Sequence, residues 1–218
     1  MANFDSVHMI YKIVSRIEEL NISAFGYVSP FSTPSNLKKL LNEYNFFYLK
    51  YWTGMAIDLA IVTENVEQPK DFEIKRVTSQ QELDIWTNML IKSFDIQGFK
   101  AELYKKYFLN LGVGNHLNFN YYLGMLKRKP VASSILFKGN DAAGIYYVGT
   151  LPEVRRRGVA KAMVKQLLNK AKTRGYKILV FHASETGYPI YKSIGFKKYY
   201  TTTFTRNQII TLVKFFYQ

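Results

Sequence analysis

The stretch Val148-Gly149-Thr150-Leu151-Pro152-Glu153-Val154-Arg155-Arg156-Arg157-Gly158-Val159-Ala160-Lys161 decides how this chain folds. An apolar run, Ile145 to Val148, enters it as a strand would. The run that leaves it carries Ala160, Met163, Val164, Leu167, Leu168 and Ala171. Those positions fall at i, i+3, i+4, i+7, i+8 and i+11, which predicts one apolar stripe on a helix. Between strand and helix lies a turn of proline, three arginines and glycine. The first N–H groups of a helix lack intrahelical partners, and the helix dipole places partial positive charge there. Gly158 has no Cβ, so an anion can approach the main chain, and Ala160 keeps the next turn small. Arg155, Arg156 and Arg157 offer charge-assisted hydrogen bonds from outside. Three arginines alone read as a solvated turn. Followed by Gly-x-Ala and an apolar helix, they read as a phosphate or pyrophosphate site.

The pattern Arg155-x-x-Gly158-x-Ala160 resembles the acetyl-CoA pyrophosphate loop of the GNAT-type (GCN5-related) N-acetyltransferases. The segment from Tyr121 to Met163 is similar to that family's second, third and fourth strands, loop and third helix. Further on, Ser184 to Phe196 resembles the closing motif, with Tyr191 ahead of the pair Gly195-Phe196. The resemblance covers roughly residues 71–218. It implies an α/β fold, the GNAT acyl-CoA N-acyltransferase fold, with a mixed central sheet splayed between the family's fourth and fifth strands. A small N-terminal α/β part, residues 1–68, is similar to the reduced half-domains of some members, and residues 69–218 then form the acetyltransferase domain.

Composition bounds the rest. With 218 residues, 48% hydrophobic and 16% aromatic, the chain can build a sizeable core. It has no cysteine, which removes disulfides, thiolate metal ligands and a cysteine nucleophile. No run of 18 apolar residues signals a membrane span, and the N-terminus lacks the order of a secretory leader. A soluble cytoplasmic protein is the expectation. The net charge of +14 fits an anionic ligand such as CoA, and it also admits a nucleic-acid partner.

Taken in order, residues 5–20 read as a helix with Val7, Ile10, Val14 and Ile17 on one face. Residues 21–35, with Gly26, Pro30 and Pro34, read as a loop. Thr33-Pro34 reads as the start of a short helix through about Tyr44. The aromatic run Phe46-Phe47-Tyr48 and Tyr51-Trp52 reads as core. Gly54 marks a turn or bulge before a strand over 55–62. Residues 64–71 link the parts. A strand begins at Phe72, and Thr78 to Glu82 caps a helix carrying Leu83, Trp86, Leu90 and Phe94. Gly98 separates it from a second helix ending near Leu111. Strands follow over 119–126, 131–137 and 143–150. Gly175 closes the long helix, 178–181 is a buried strand, and 185–194 is a short helix. Residues 197–204 and 208–216 read as a final antiparallel pair around Thr205-Arg206-Asn207.

The resemblance implies acetyl transfer from acetyl-CoA, a co-substrate, to an amine, with no metal. Main-chain N–H groups over Arg157, Gly158, Val159, Ala160 and Lys161 would hold the pyrophosphate. Val148 and Thr150, with Gly149 between, would pair with the pantetheine arm, and Gly149 either eases a bulge or reflects close packing. Tyr191 would give a proton to the departing thiolate, since a phenol near pKa 10 stays protonated where a thiol near 8.5 does not. A packed core tyrosine is the plain alternative. Ser184 stands where many members have asparagine. The strand over 143–150 has no carboxylate where many members carry a glutamate, so the base is unassigned. His116, His182, Glu153 and Glu185 are candidates by chemistry only. Two other readings stand: a CoA-binding module of this fold without turnover, and a transferase directed at a nucleic-acid-linked substrate such as charged tRNA. The acceptor is not legible, and the chain reads as monomer or homodimer.

Overall fold

The computed structural model describes residues 2–22, 24–63, 68–114 and 116–207, with side chains from Val7 onward. Among them are eight strands and six α-helices, a mixed α/β fold. The chain separates into two compact units. The larger comprises residues 55–181 and 187–198, and the smaller residues 1–54, 182–186 and 199–218.

In the smaller unit, α1 spans Ala2–Glu19, β1 Phe25–Val28 and α2 Leu37–Glu43. The strand β2, Phe46–Asp58, contributes its residues through Gly54, and β8, Lys197–Asn207, contributes those from Tyr199. The strands run in the order β1-β8-β2. The stretch 21–35 is therefore not all loop: Phe25 to Val28 pairs antiparallel with Thr203 to Arg206. The residues taken for a turn, Thr205-Arg206-Asn207, continue β8 instead. Asn207 makes this pairing worthwhile. Its side chain accepts from Ala24 N at 2.7 Å and donates to Ile22 O at 3.2 Å, while its main-chain N–H donates to Ala24 O. Phe25 and Tyr27 pack on Phe204 at 5.3 and 4.7 Å. These long-range contacts override a Gly- and Pro-rich local sequence that favours turns.

Gly54 is also not a turn, because β2 runs straight through it. A Cβ at Gly54 would stand 2.5 Å from the Tyr200 ring, so the glycine admits that ring. The hydroxyl of Tyr200 lies 2.9 Å from His182 Nε2. In α1, Val14 is buried, but Val7 is exposed rather than on a core face. Thr33-Pro34 precedes α2 by a turn and is not its first residue pair: Leu37 N donates to Pro34 O, and the N-cap is Asn36. The expected strand at 208–216 lies outside the described residues.

In the larger unit the strands run β3-β4-β5-β6-β7. They span Phe72–Arg76, Phe119–Leu126, Lys129–Lys138, Ala142–Thr150 and Ile178–Ala183, the last two residues of β7 belonging to the smaller unit. The first three pairings are antiparallel and the β6–β7 pairing is parallel. The β4–β5 turn places both Lys127 and Arg128 at positive φ, 48° and 63°. Such a turn matches the twist of the strands it joins. Helix α3, Gln80–Ser93, starts at Ser79, whose hydroxyl accepts from Glu82 N, while the Glu82 carboxylate accepts from Thr78 N at 2.8 Å. That reciprocal cap satisfies donors that the helix start would otherwise leave exposed. Helix α4, Phe99–Leu111, follows as expected, and α5 spans Val159–Thr173. The buried face of α5 is Val159, Ala162, Met163, Val164, Leu167, Leu168 and Ala171. Val159, not Ala160, thus opens the stripe. Burying each of the larger side chains stabilises by about 1.5–3 kcal/mol, which seats the N-terminus of α5 against the sheet. The last helix, α6, is Tyr188–Ile194, closed by Gly195 at φ 110°.

Candidate active site

The strand that leads into the basic turn separates from its parallel neighbour. Ala142, Ala143 and Gly144 are in register with Ile178, Leu179 and Val180, and the β6–β7 register ends there. On its other side β6 is bulged. Ser133 faces Gly149 and Ile135 faces Tyr146, so two steps on β5 match three on β6. The extra residue falls at Tyr147–Val148, and Tyr147 sits at φ 53°, in the left-handed region. Gly149 does not supply that bulge. A Cβ there would stand 2.6 Å from Ser93 Cβ and 2.8 Å from the Phe94 ring. Gly149 is therefore the residue that lets the C-terminal end of α3 lie flush on β6.

Two buried serines hold the bulge. Ser134 Oγ donates to Tyr146 O at 3.1 Å, and Ser133 Oγ donates to Tyr147 O at 3.4 Å. Trp86 Nε1 donates in turn to Ser134 O at 3.1 Å. A buried carbonyl without a donor costs about 1–3 kcal/mol, so these hydroxyls make an irregular strand tolerable in a core. Sequence reasoning passed over both. The signal was present: two consecutive serines inside the apolar run Val131 to Phe137, where alternation would leave at most one facing water.

After β6 the chain makes a one-turn helix, Pro152–Val154, and then the basic turn. Arg155, Arg156 and Arg157 are exposed. Arg155 is occupied with the protein itself: Nη2 donates to Ser93 O at 2.9 Å and Nε to Thr150 O at 3.3 Å. It ties the C-terminal end of α3, where carbonyls lack partners and the dipole is negative, to the end of β6. Arg156 takes φ 60° and Gly158 φ 77° with ψ −2°. Gly158 is the N-cap of α5, and no side chain caps the helix. The first intrahelical bond runs from Ala162 N to Gly158 O. No acidic residue stands in the first turn. The amides of Val159, Ala160 and Lys161 thus open a helix that no side chain of the described residues caps.

Among the described residues, a Cβ placed on Gly158 would find only Pro69 Cγ, at 3.9 Å. An αL backbone with an open approach over the main chain is a combination that glycine meets at least steric cost.

Tyr191 lies in α6, which packs on α5. Its ring meets Phe181 at 4.2 Å and Phe196 at 6.1 Å. Burial pushes its phenol up to about 12. Ser184 belongs to the smaller unit, where its hydroxyl lies 3.2 Å from that of Thr186. Of the candidate bases, Glu153 and Glu185 are exposed. His116 Nε2 lies 3.4 Å from Leu111 O. His182 pairs with Tyr200, and burial lowers its pKa. The described residues hold no cluster of three or more His, Cys, Asp or Glu that could bind a metal, and no helix long and apolar enough to cross a membrane.

A sheet that opens beside a bulged strand, followed by an uncapped helix behind a left-handed glycine, defines a class: this is the fold of the GCN5-related N-acetyltransferases. Residues 122–199, a little over a third of the chain, match the family model described as an acetyltransferase (GNAT) domain. The fold is similar to a GCN5-related N-acetyltransferase from Kribbella flavida, at TM-score 0.71 and 14% identity, over 93% of this chain and 75% of that one. A GCN5-related N-acetyltransferase from Sphaerobacter thermophilus is similar at TM-score 0.63 and 18% identity, over 86% of this chain and 60% of that one. A conserved protein of unknown function from Staphylococcus epidermidis ATCC 12228 is similar at TM-score 0.67 and 14% identity, over 92% and 80%. No curated protein matches the chain in sequence.

Proposed function

We propose that the protein is an acetyl-CoA-dependent N-acetyltransferase that passes the acetyl group directly to an amine within a ternary complex. One observation carries this reading: the uncapped N-terminus of α5 behind Gly158 stands at the end of a strand that has parted from its parallel neighbour. The amides of Arg157 to Lys161, with the Arg156 and Arg157 side chains outside them, hold the pyrophosphate. The main chain of Val148 to Thr150 pairs with the pantetheine arm as an added strand would. The amine nitrogen attacks the thioester carbonyl, a C–N bond forms and the C–S bond breaks. Tyr191 donates its phenolic proton to the departing sulfur, and the proton lost by the amine passes to water. A phenol held near 12 is protonated at any pH where a thiolate leaves, as this role requires. On this reading residues 69–218 form the acetyltransferase domain and residues 1–68 a reduced N-terminal half. The site of action is the cytoplasm, and the protein works as a monomer or homodimer.

The test joins calorimetry of acetyl-CoA binding to a thiol-release assay over a panel of amines. Binding with amine-dependent thiol release is the expected result; no binding to the folded protein refutes the proposal. A second reading, a CoA-binding module without turnover, draws on one feature: β6 runs from Ala142 to Thr150 without a carboxylate to take the amine's proton. Binding without thiol release from any amine would select it. A charged tRNA acceptor would instead appear as RNA affinity that falls steeply with salt.

A further inference from the structure

The geometry points to an acceptor amine that carries an uncharged, ring-bearing or similarly apolar group, received by the rings of Phe94, Tyr107 and Tyr147. This rests on the transferase reading, which lays the pantetheine arm along the main chain of Val148 to Thr150. Tyr147 immediately precedes that stretch and is turned by its left-handed backbone at the bulge. Three rings meet its own edge-on: Phe108 at 5.6 Å, Trp86 at 6.5 Å and Phe94 at 6.5 Å. Behind them Trp86, Phe108 and Tyr121 are fully buried and form the floor. In front, Tyr147 is 39% exposed, Phe94 48% and Tyr107 60%, and Tyr107 packs on Phe108 at 5.1 Å. Exposed rings standing on buried rings form a rigid apolar wall, with little side-chain entropy left to lose when a ligand covers it.

Charge argues the same way. Asp84 and Lys105, which face each other between α3 and α4, satisfy each other at 3.0 Å. Asp95, next to Phe94, accepts from Gln97 Nε2 at 2.8 Å. A second ammonium on the acceptor would find these carboxylates already engaged. Ser93 Oγ is buried with no partner among the described residues, 3.2 Å from where a Gly149 Cβ would stand.

The experiment compares three primary amines: 2-phenylethylamine, an alkylamine of equal length ending in an ether, and a diamine of equal length. Binding is measured by calorimetry to the full chain with CoA bound, and thiol release is measured separately with acetyl-CoA. Phenylethylamine should bind roughly tenfold to hundredfold more tightly than either of the others, the range expected for covering one aromatic group. The double variant Phe94→Ser/Tyr107→Ser changes two exposed side chains. It should lose that preference while acetyl-CoA affinity stays within about twofold of the parent. Equal binding of the three amines, tighter binding of the diamine, or a preference that survives the double variant overturns the inference. Ring preference without thiol release would uphold the subsite and refute the transferase reading, so the two fail separately.

Discussion

The long helix α5 ends in left-handed glycines on both sides, and that symmetry isolates what its N-terminus does. Gly158 precedes Val159 at φ 77°, and Gly175 follows the helix at φ 86°. An alanine at Gly175 would meet no atom within 4 Å, and one at Gly158 only Pro69 Cγ at 3.9 Å. Gly158→Ala and Gly175→Ala therefore impose the same perturbation on the folded protein. Each forces an L-residue into the left-handed region at a cost of about 1–2 kcal/mol, without a clash. Each should lower the thermal midpoint by about 2–8 °C for a chain of this size. Only Gly158 lies at the end where unpartnered amides and the positive dipole face outward. There, on the proposed function, the new methyl would stand in the path of a phosphate oxygen. Losing a charge-assisted contact weakens binding by about 1.5–3 kcal/mol, roughly tenfold to hundredfold in affinity. Calorimetry of CoA and acetyl-CoA, run well below both transitions, should show that loss in Gly158→Ala and parental affinity in Gly175→Ala. Equal affinities in the two variants, or an equal loss in both, would refute the assignment of the anion site to this helix end.

Tyr191→Phe should lower turnover about 10²- to 10⁴-fold while leaving CoA affinity intact, and comparing single-turnover rates with calorimetry checks this. Because the phenol lies near 12, raised above its ordinary value by burial, activity should not decline through Tyr191 ionisation below about pH 11. Its contribution to stability is present below pH 10 and lost only as the pH rises through 12. Gly149→Ala should destabilise the fold by about 1–3 kcal/mol in urea titrations, because its methyl would press on Ser93 Cβ and the Phe94 ring; an unchanged midpoint would show that the end of α3 moves freely. Glu82 is held down to about 2, first by Lys75 at 2.7 Å and then by the Thr78 amide. Its stabilisation is present above about pH 4.5 and fades as pH falls towards 2. Glu82→Gln should therefore flatten the acid limb of the stability–pH curve in that window and leave the neutral region's slope unaltered.

What the sequence made legible follows from where the determining interactions lie. In the larger unit they are local. The stripe from Met163 to Ala171, the cap at Ser79 and the strand boundaries at Phe119, Leu126 and Thr150 are set by residues a few positions apart. In the smaller unit they are distant. Phe25 to Val28 becomes a strand because Asn207, some 183 positions away from Ala24, binds the chain on either side of residue 23. Nothing between Gly26 and Pro34 announces that partner. Gly54 failed as a turn signal for the same reason. A glycine in a strand can mean a bend or a close neighbour, and the neighbour here is Tyr200, remote in sequence.

The site shows the same division at finer scale. The turn from Arg155 to Gly158 could be read because a helix start, a left-handed glycine and positive charge are written consecutively. The role of Arg155 could not be. Its guanidinium faces inward, joining Ser93 O on α3 to Thr150 O on β6, and only the pairing of those elements reveals it. The sequence leaves Gly149 open to two readings, an eased bulge or close packing, and the bulge falls two positions earlier, at Tyr147. The chain leaves a tyrosine at φ 53° and secures it from the neighbouring strand through Ser133 and Ser134. Gly149 is then available for a different requirement, the close seating of Ser93 and Phe94. Had the glycine occupied position 147, the ring that meets Trp86, Phe94 and Phe108 would be absent. Had a larger residue occupied position 149, the helix carrying Ser93 would stand off the strand. The order Tyr-Val-Gly, rather than its composition, brings the aromatic wall and the opened strand together.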